Sequence, residues 1–441
     1  MEAVDLIVKG GTVLTMAPAS EPLADGAVAV HGGEIVAVGP AAAVVAQVRP
    51  SRELDAGGGL ILPGFVNTHT HLAMVLLRGL ADDLPLKEWL ERHIWPAERA
   101  VMNDETVALG SRLAAAECLK AGVTTVCDMY FHAETIIGVL KQVGLRAVVP
   151  EPLIDFATPS CPGPEYALAR QRDLLERYRN DPLVVPAVAP HSPYSVSAEN
   201  LVKEAELADE FGAPLIIHVA ETRWEAETIQ AGKGVTPVAY LADLGILSER
   251  TVAAHCVHVT EPDVDLLAEF EVGVASNPVS NLKLGSGVAP LPQMIARGIK
   301  VGLGTDGAAC NNTLDLLRDA QLAALLYKGL SGNPAVVPAR TLAELLTIGG
   351  ARVLGLDRRI GTLEAGKRAD LICLGADAPH ATPLFDAFSH LAYAARAADV
   401  RHVVVDGRVV VDNHRLVSVD EAALLAEVRS AAGGVRAAAV R

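Results

Sequence analysis

No two of the six cysteines, at 118, 127, 161, 256, 310 and 373, stand close enough to form a C-x-x-C pair. That scatter excludes a zinc knuckle and a disulfide framework and reads as buried thiols of a reducing compartment. Basic residues are also short: 37 Lys and Arg face 53 Asp and Glu, a formal charge of -16. A nucleic-acid binder or a protein of anionic membranes needs clustered cations, so neither partner is expected and a small molecule is. No run of about 18 residues is free of prolines, charges or polar clusters, and no basic stretch followed by an apolar one opens the chain. A membrane span and a secretory leader are therefore not expected, and the cytoplasm is the predicted location. Charge itself is sparse, 20% against 51% hydrophobic, which excludes a disordered or fibrous chain.

The first 55 residues read as short strands. VDLIVKGGTVLTM turns at Gly10-Gly11, and GAVAVHGGEIVAVG turns at Gly32-Gly33, predicting two hairpins. Near the other end RHVVVDGRVVVD repeats the pattern around Asp406-Gly407, preceded by ADLICLG at 369–375. An isolated hairpin is marginal in water, so both ends are expected to combine into one small β-domain, residues 1–59 with 365–441 including a tail. Between them, from 60 to 364, eight apolar runs alternate with segments of helical composition: LILPGFVNTHTH, TTVCDM, RAVVPEPLID, LVVPAVAPHS, PLIIHVAET, TVAAHCVHV, VGVASNPVSN and KVGLGTDG. Continuous apolar strands alternating with helices predict an α/β fold, and eight repeats predict a (β/α)8 barrel. An open doubly wound sheet lacks its signature here, because no G-x-G-x-x-G follows the first strand.

Reactive groups of such a barrel project from the C-terminal strand ends. The first run closes with His69 and His71, whose i, i+2 spacing puts both on one side of a strand. IIHVAET, AAHCVHV and GLGTDG bring His218, His255 and Asp306 to the same rim. A lone rim histidine is readily a hydrogen-bonded core residue, but imidazoles and a carboxylate together are N and O donors suited to Zn²⁺, or to Fe²⁺, Mn²⁺ or Ni²⁺. Glu221, three residues after His218, reads either as a general acid/base beside that centre or as the first-turn cap of the next helix. His191 ends the fourth run. His258 reads as a loop residue, Trp89 and Trp95 as ligand cover or core, and the GSG at 285–287 as a turn, since it lacks the Lys-Ser/Thr of a phosphate loop.

Long segments carry a resemblance over nearly the whole chain. PGFVNTHTHLAMVLLRGLADDLPLKEWLERHIWPAE, HVAET, HCVHV, SNPVSNLKLGSGVAPLP, GLGTDGAACNNTLDLL and IGTLEAGKRADLICL resemble the amidohydrolase superfamily, and within it the 5-methylthioadenosine/S-adenosylhomocysteine deaminases, relatives of the triazine hydrolases. The resemblance implies one divalent metal per chain on His69, His71, His218 and Asp306, with zinc first among the candidates. It implies His255 on the reacting water or substrate, Glu221 as proton donor to the purine, and Asp306 as acceptor of the water proton. Glu98 and His191 match substrate contacts, Glu98 looking like the ribose-hydroxyl acceptor. Dinuclear relatives carry a lysine where this chain has His191, which implies a single metal. The activity implied is hydrolytic deamination of an adenosine-type nucleoside (5′-methylthioadenosine, S-adenosylhomocysteine, adenosine or 5′-deoxyadenosine) by a homo-oligomer. The alternative is hydrolysis or deamination of a triazine or another aminoheterocycle such as guanine; an assembly protein without metal is not expected where every ligand is kept.

The chain also departs from that pattern. Where the subgroup has an arginine for the amino-acid carboxylate of S-adenosylhomocysteine, at the end of the third barrel strand, this chain has Pro150 and Glu151. Arg146 lies at the start of that strand, the wrong end for the site. Cys310 and Thr313 replace a small hydroxyl residue and an acid after the eighth strand. The expectation is a preference for short 5′-substituents, with Glu151 adding a like charge if it points inward.

Overall fold

The computed structural model describes residues 1–439, and its strands form two sheets. The chain opens with β1 (Glu2–Val13), β2 (Leu23–His31), β3 (Glu34–Pro40), β4 (Val48–Asp55) and β5 (Leu60–Pro63). There follow β6 (Phe65–Thr70), β7 (Val123–Asp128), β8 (Arg146–Leu153), β9 (Val184–Pro190), β10 (Leu215–Val219), β11 (Thr251–His255), β12 (Gly273–Ser276) and β13 (Lys300–Leu303). These eight pair in chain order, each parallel to the next. Each of the eight apolar runs of the sequence thus contributes one strand to the barrel. The seam between β6 and β13 is closed by polar groups: the Asp306 N–H donates to the His69 carbonyl at 3.0 Å, and Asn67 and Thr305 exchange two hydrogen bonds. Gly304 makes the approach feasible, since a Cβ there would stand 2.3 Å from Asn277 Oδ1 and 2.9 Å from the His69 carbonyl oxygen.

The strands are buried on both faces because each face has its own apolar partner. Val66, Val148, Ile216, Val252 and Ala275 fill the interior, where Ile348 and Ile360 join them. Outward residues such as Ile217 and Ala253 meet the surrounding helices. Each Val or Ile buried in this way contributes about 1.5–3 kcal/mol. Of the intervening helices, Ala198–Phe211 begins at Ser197, whose hydroxyl accepts from Asn200 N–H, and stops at Gly212 in the left-handed region. Cap and glycine stop are both readable in the sequence.

β14 (Leu371–Leu374), β15 (Val400–Val405), β16 (Arg408–Asp412) and β17 (Arg415–Leu416) complete the second sheet, ordered β17-β16-β15-β14-β5-β1-β2-β3 with β4 beside β1. Both chain ends contribute to it. Three details differ from the sequence reading. Leu60–Pro63, taken as the start of the first barrel strand, pairs instead with β1 and β14, so the chain changes sheets at Gly64 rather than at 59/60. Gly10-Gly11 is no turn: β1 runs straight through, with a register shift against β2, because a Cβ on Gly11 would stand 2.5 Å from the Gly59 carbonyl oxygen. The turns at Gly32-Gly33 and Asp406-Gly407 do form, with φ of 58°, 80°, 52° and 76°, the positive values a two-residue hairpin requires. The C-terminal tail is a helix, Glu421–Ala439, laid on the barrel helix Asp104–Lys120 through Leu424 against Leu109 and Ala116. Residues 365–441 therefore serve the barrel as well as the β-sheet. No helix among the described residues is long and apolar enough to cross a membrane.

Candidate active site

Four imidazoles and a carboxylate converge at the C-terminal mouth of the barrel. His69 and His71 end β6, His218 and His255 lie on β10 and β11, and Asp306 follows β13. The ring centroids of His71 and His218 each lie 4.8 Å from that of His69, and that of His255 lies 5.5 Å from it. His71 Nε2 stands 3.2 Å from Asp306 Oδ1 and His69 Nε2 3.8 Å from the same atom. Two groups of donor atoms, His69 with His218 and His255, and His69 with His71 and Asp306, each fit within 4.8 Å. Backbone carbonyls fix two rings, Met129 accepting from His71 Nδ1 at 2.6 Å and His191 from His218 Nδ1 at 2.7 Å, so that Nε2 faces the centre in both. Asp306 Oδ1 accepts from Gly307 N–H and Oδ2 from the Ser280 hydroxyl. Positive φ at His255 (73°) and Asp306 (60°) costs about 1–3 kcal/mol each, held by the surrounding fold.

Burial keeps His69 and His218 ready to donate lone pairs. Burial, with His71 beside it, holds His69 well below the ordinary histidine range, and burial with the surrounding histidines does the same to His218. Burial would lower His71 too, but Asp306 outweighs it and raises the ring. The Asp306 carboxyl is held well below the usual range because His71 and its neighbours overcome the upward push of burial. Both ring nitrogens of His69 are buried with no hydrogen-bond partner. Two neutral imidazoles, His69 orphaned, with His71 beside an ionised carboxylate, are a donor set that a divalent cation satisfies.

Glu221 is not a helix cap. Thr222 caps Arg223–Lys233, and the Glu225 carboxylate accepts from the Ala220 and Glu221 N–H groups at 2.8 and 2.9 Å. Glu221 is left buried, its Oε2 3.9 Å from His255 Nε2 and its Oε1 unpartnered, and burial raises its pKa. His255 is oriented by Asn281 Oδ1 at 2.8 Å. His71, His191, His218, Glu221, His255 and Asp306 all line one cavity open to solvent. His191 is held by Ser195 Oγ at 2.8 Å, and burial pushes its pKa down to about 3. Glu98, on the same cavity wall, accepts from the Tyr130 hydroxyl at 2.7 Å, and burial pushes its pKa up to about 7.

Other sequence candidates sort as follows. Trp89 and Trp95 both line the cavity. His258 is structural, its Nε2 bonded to the Ser286 carbonyl at 2.7 Å in the turn at 285–287. Arg146 lies at the opposite barrel end, as its place at the strand start implies, bound to Asp370 and Asp406. Glu151 does not point inward: its carboxylate accepts from Ala133 N–H and Ser160 Oγ, while its strand neighbour Pro152 lines the cavity. Cys310 lines the cavity, whereas the Thr313 hydroxyl bonds Asn311 outside it. Sequence reading missed Tyr130, Ser280 and Asn281, which act through Glu98, Asp306 and His255; the last two sit in the SNPVSN segment, and Tyr130 stands two residues past β7.

A barrel with nitrogen and oxygen donors around its mouth, and a buried carboxyl beside them, defines a hydrolase built around a divalent metal. The chain belongs to the amidohydrolase family, whose model matches residues 60–410. It is 45% identical over 425 residues to a 5-methylthioadenosine/S-adenosylhomocysteine deaminase of Syntrophobacter fumaroxidans, covering 96% of this chain and 97% of that one. It is 41% identical to a 5′-deoxyadenosine deaminase of Methanosarcina acetivorans, covering 97% and 98%. Among solved structures, an adenosine deaminase from Xanthomonas campestris with bound zinc superposes with a TM-score of 0.97 at 40% identity, covering 99% of both chains.

Proposed function

We propose that this protein deaminates an adenosine-type nucleoside by hydrolysis, with one divalent cation, zinc first, held by His69, His71, His218 and Asp306. The observation that carries the reading is the orphaned His69 ring beside Asp306, with the Glu221 carboxyl and His255 on the same cavity floor. A divalent cation held by these four side chains would make a water acidic enough to serve as the nucleophile at neutral pH. Asp306 takes the proton that this water gives up as its oxygen bonds to the amine-bearing ring carbon. Glu221 gives a proton to the adjacent ring nitrogen, and His255, held by Asn281, stabilises the charge gathering on the attacking oxygen. The C–N bond then breaks as Asp306 returns its proton to the amine, ammonia leaves, and Glu221 regains a proton from the hydroxyl that becomes the carbonyl of the inosine analogue.

Glu98 favours a nucleoside over a free heterocycle. Tyr130 holds its Oε1, which leaves Oε2 for a ribose hydroxyl. The names of the relatives support the same substrate class. Ammonia release measured across 5′-methylthioadenosine, 5′-deoxyadenosine, adenosine, S-adenosylhomocysteine, guanine and a chlorotriazine tests the reading. Turnover of the adenosines is expected; turnover of guanine or the triazine alone would replace it.

A further inference from the structure

The cavity does not end at Glu98. A shallow second hollow, open to solvent, adjoins it and shares Trp95, Glu98, Phe131 and Ile154 with it. Phe156 forms its far wall, standing edge-on to Trp95 at 5.5 Å between ring centroids. We infer that this hollow receives the 5′-substituent of the nucleoside and selects small, uncharged, apolar substituents over a zwitterionic amino-acid tail. The inference rests on the deaminase reading above. With the base at the histidine cluster and the ribose hydroxyls at Glu98, the 5′ end of the nucleoside continues outward between Trp95 and Ile154.

Most of the wall it meets there is hydrocarbon. Phe131 and Ile154 are buried, and Trp95 and Phe156, packed edge to face, add aromatic carbon against which a thioether or a methyl group can lie. Each buried methyl or methylene of such a substituent gains about fourfold in affinity. A carboxylate gains little by comparison. Among the described residues that line either hollow, Arg99 is the only arginine or lysine, and it is exposed to solvent. Exposed ion pairs give at most about a fivefold gain. Glu98 at the inner end of the hollow repels an anion, and Glu151 on the neighbouring strand faces away into its own hydrogen bonds, so it recruits no ammonium. Ordering a long charged tail in this hollow is therefore repaid less than placing a methylthio group.

The test is kcat/KM on the metal-loaded protein for 5′-methylthioadenosine, 5′-deoxyadenosine, adenosine, S-adenosylhomocysteine and 5′-butylthio-5′-deoxyadenosine, the last carrying a long tail without charge. We expect methylthioadenosine to exceed S-adenosylhomocysteine by about tenfold or more, with the butylthio compound nearer the former. Phe156→Ala, at a surface position that tolerates the change, should lower the methylthioadenosine-to-adenosine ratio several-fold, and Arg99→Ala should change S-adenosylhomocysteine turnover by less than about fivefold. Equal or better turnover of S-adenosylhomocysteine, with a loss beyond tenfold in Arg99→Ala, would overturn the inference and make the hollow a carboxylate site. An unchanged ratio in Phe156→Ala would overturn its location. If no adenosine analogue releases ammonia, the deaminase reading itself fails and takes the inference with it.

Discussion

The two ends of the barrel treat buried charge in opposite ways. At the N-terminal end the Arg146 guanidinium is almost fully buried and fully matched: Asp370 takes two of its N–H groups at 2.7 and 3.0 Å, Asp406 a third at 3.0 Å, and the Pro182 carbonyl a fourth at 2.7 Å. At the C-terminal end His69 is equally buried and has no partner at either nitrogen, and Glu221 has an oxygen with none. The matched end pins the barrel to the second sheet, since Asp370 and Asp406 flank β14 and follow β15. The unmatched end has donor capacity that only a ligand can use. A buried polar group without a partner costs about 1–3 kcal/mol, so its persistence marks where the fold is spent on chemistry.

Replacing residues at each end separates the two roles. Asp306→Ala should lower kcat by about 10³-fold or more and weaken cation binding, because it removes a donor and the acceptor of the water proton together; steady-state kinetics with metal analysis on the same preparation would check both. Glu221→Gln should keep its metal and lose about 10²–10⁴-fold in rate. Near-normal activity in that variant would remove Glu221 from the chemistry. Arg146→Met should act in the reverse manner, destabilising the fold by about 3–5 kcal/mol in denaturant melts while the folded fraction keeps its kcat, because Asp370 is left buried without its ion pair while Asp406 keeps only Arg368. Loss of kcat without loss of stability would break the contrast between the ends.

A buried carboxyl away from both ends sharpens the comparison. Glu204, on the helix Ala198–Phe211, is fully buried with neither oxygen hydrogen-bonded, and desolvation pushes its pKa from 4.5 up to about 8. Its folded form binds the proton more tightly than its unfolded form. The stability it contributes is therefore present below pH 4.5 and is lost as pH rises through about 8. Glu204→Gln should remove that slope and gain on the order of 5 kcal/mol over the parent at pH 9, measured by melts across the range, with activity unaffected. A slope that survives the substitution would assign it to another group.

Much of this was legible in the sequence because barrel strands advertise themselves twice, as apolar runs and by the His or Asp that ends them. His69, His71, His218, His255 and Asp306 could be placed on one rim from strand ends alone. Glu151 could not be oriented from its presence on β8; only the alternation that sends Pro152 into the cavity sends Glu151 out of it. Leu60–Pro63 was hidden because two strands separated by Gly64 alone read as one apolar run. Gly10-Gly11 carries the composition of a turn yet serves a close backbone approach to Gly59, a contact made 48 residues away in the chain and so invisible locally. The C-terminal helix is alanine-rich and weakly amphipathic, and its few anchors, Leu424 chief among them, declare themselves only against the barrel helix they meet. Tyr130, Ser280 and Asn281 act through other side chains, and their roles exist only once the strand ends converge.

The unmatched end is proposed to hold one catalytic metal. Stripping the protein with a chelator and titrating Zn²⁺ back while following ammonia release from 5′-methylthioadenosine tests it directly. Activity should be lost on stripping, rise linearly with added zinc and level off at one equivalent per chain. Full activity in the stripped protein, or a rise that continues to two tightly held equivalents, would contradict it.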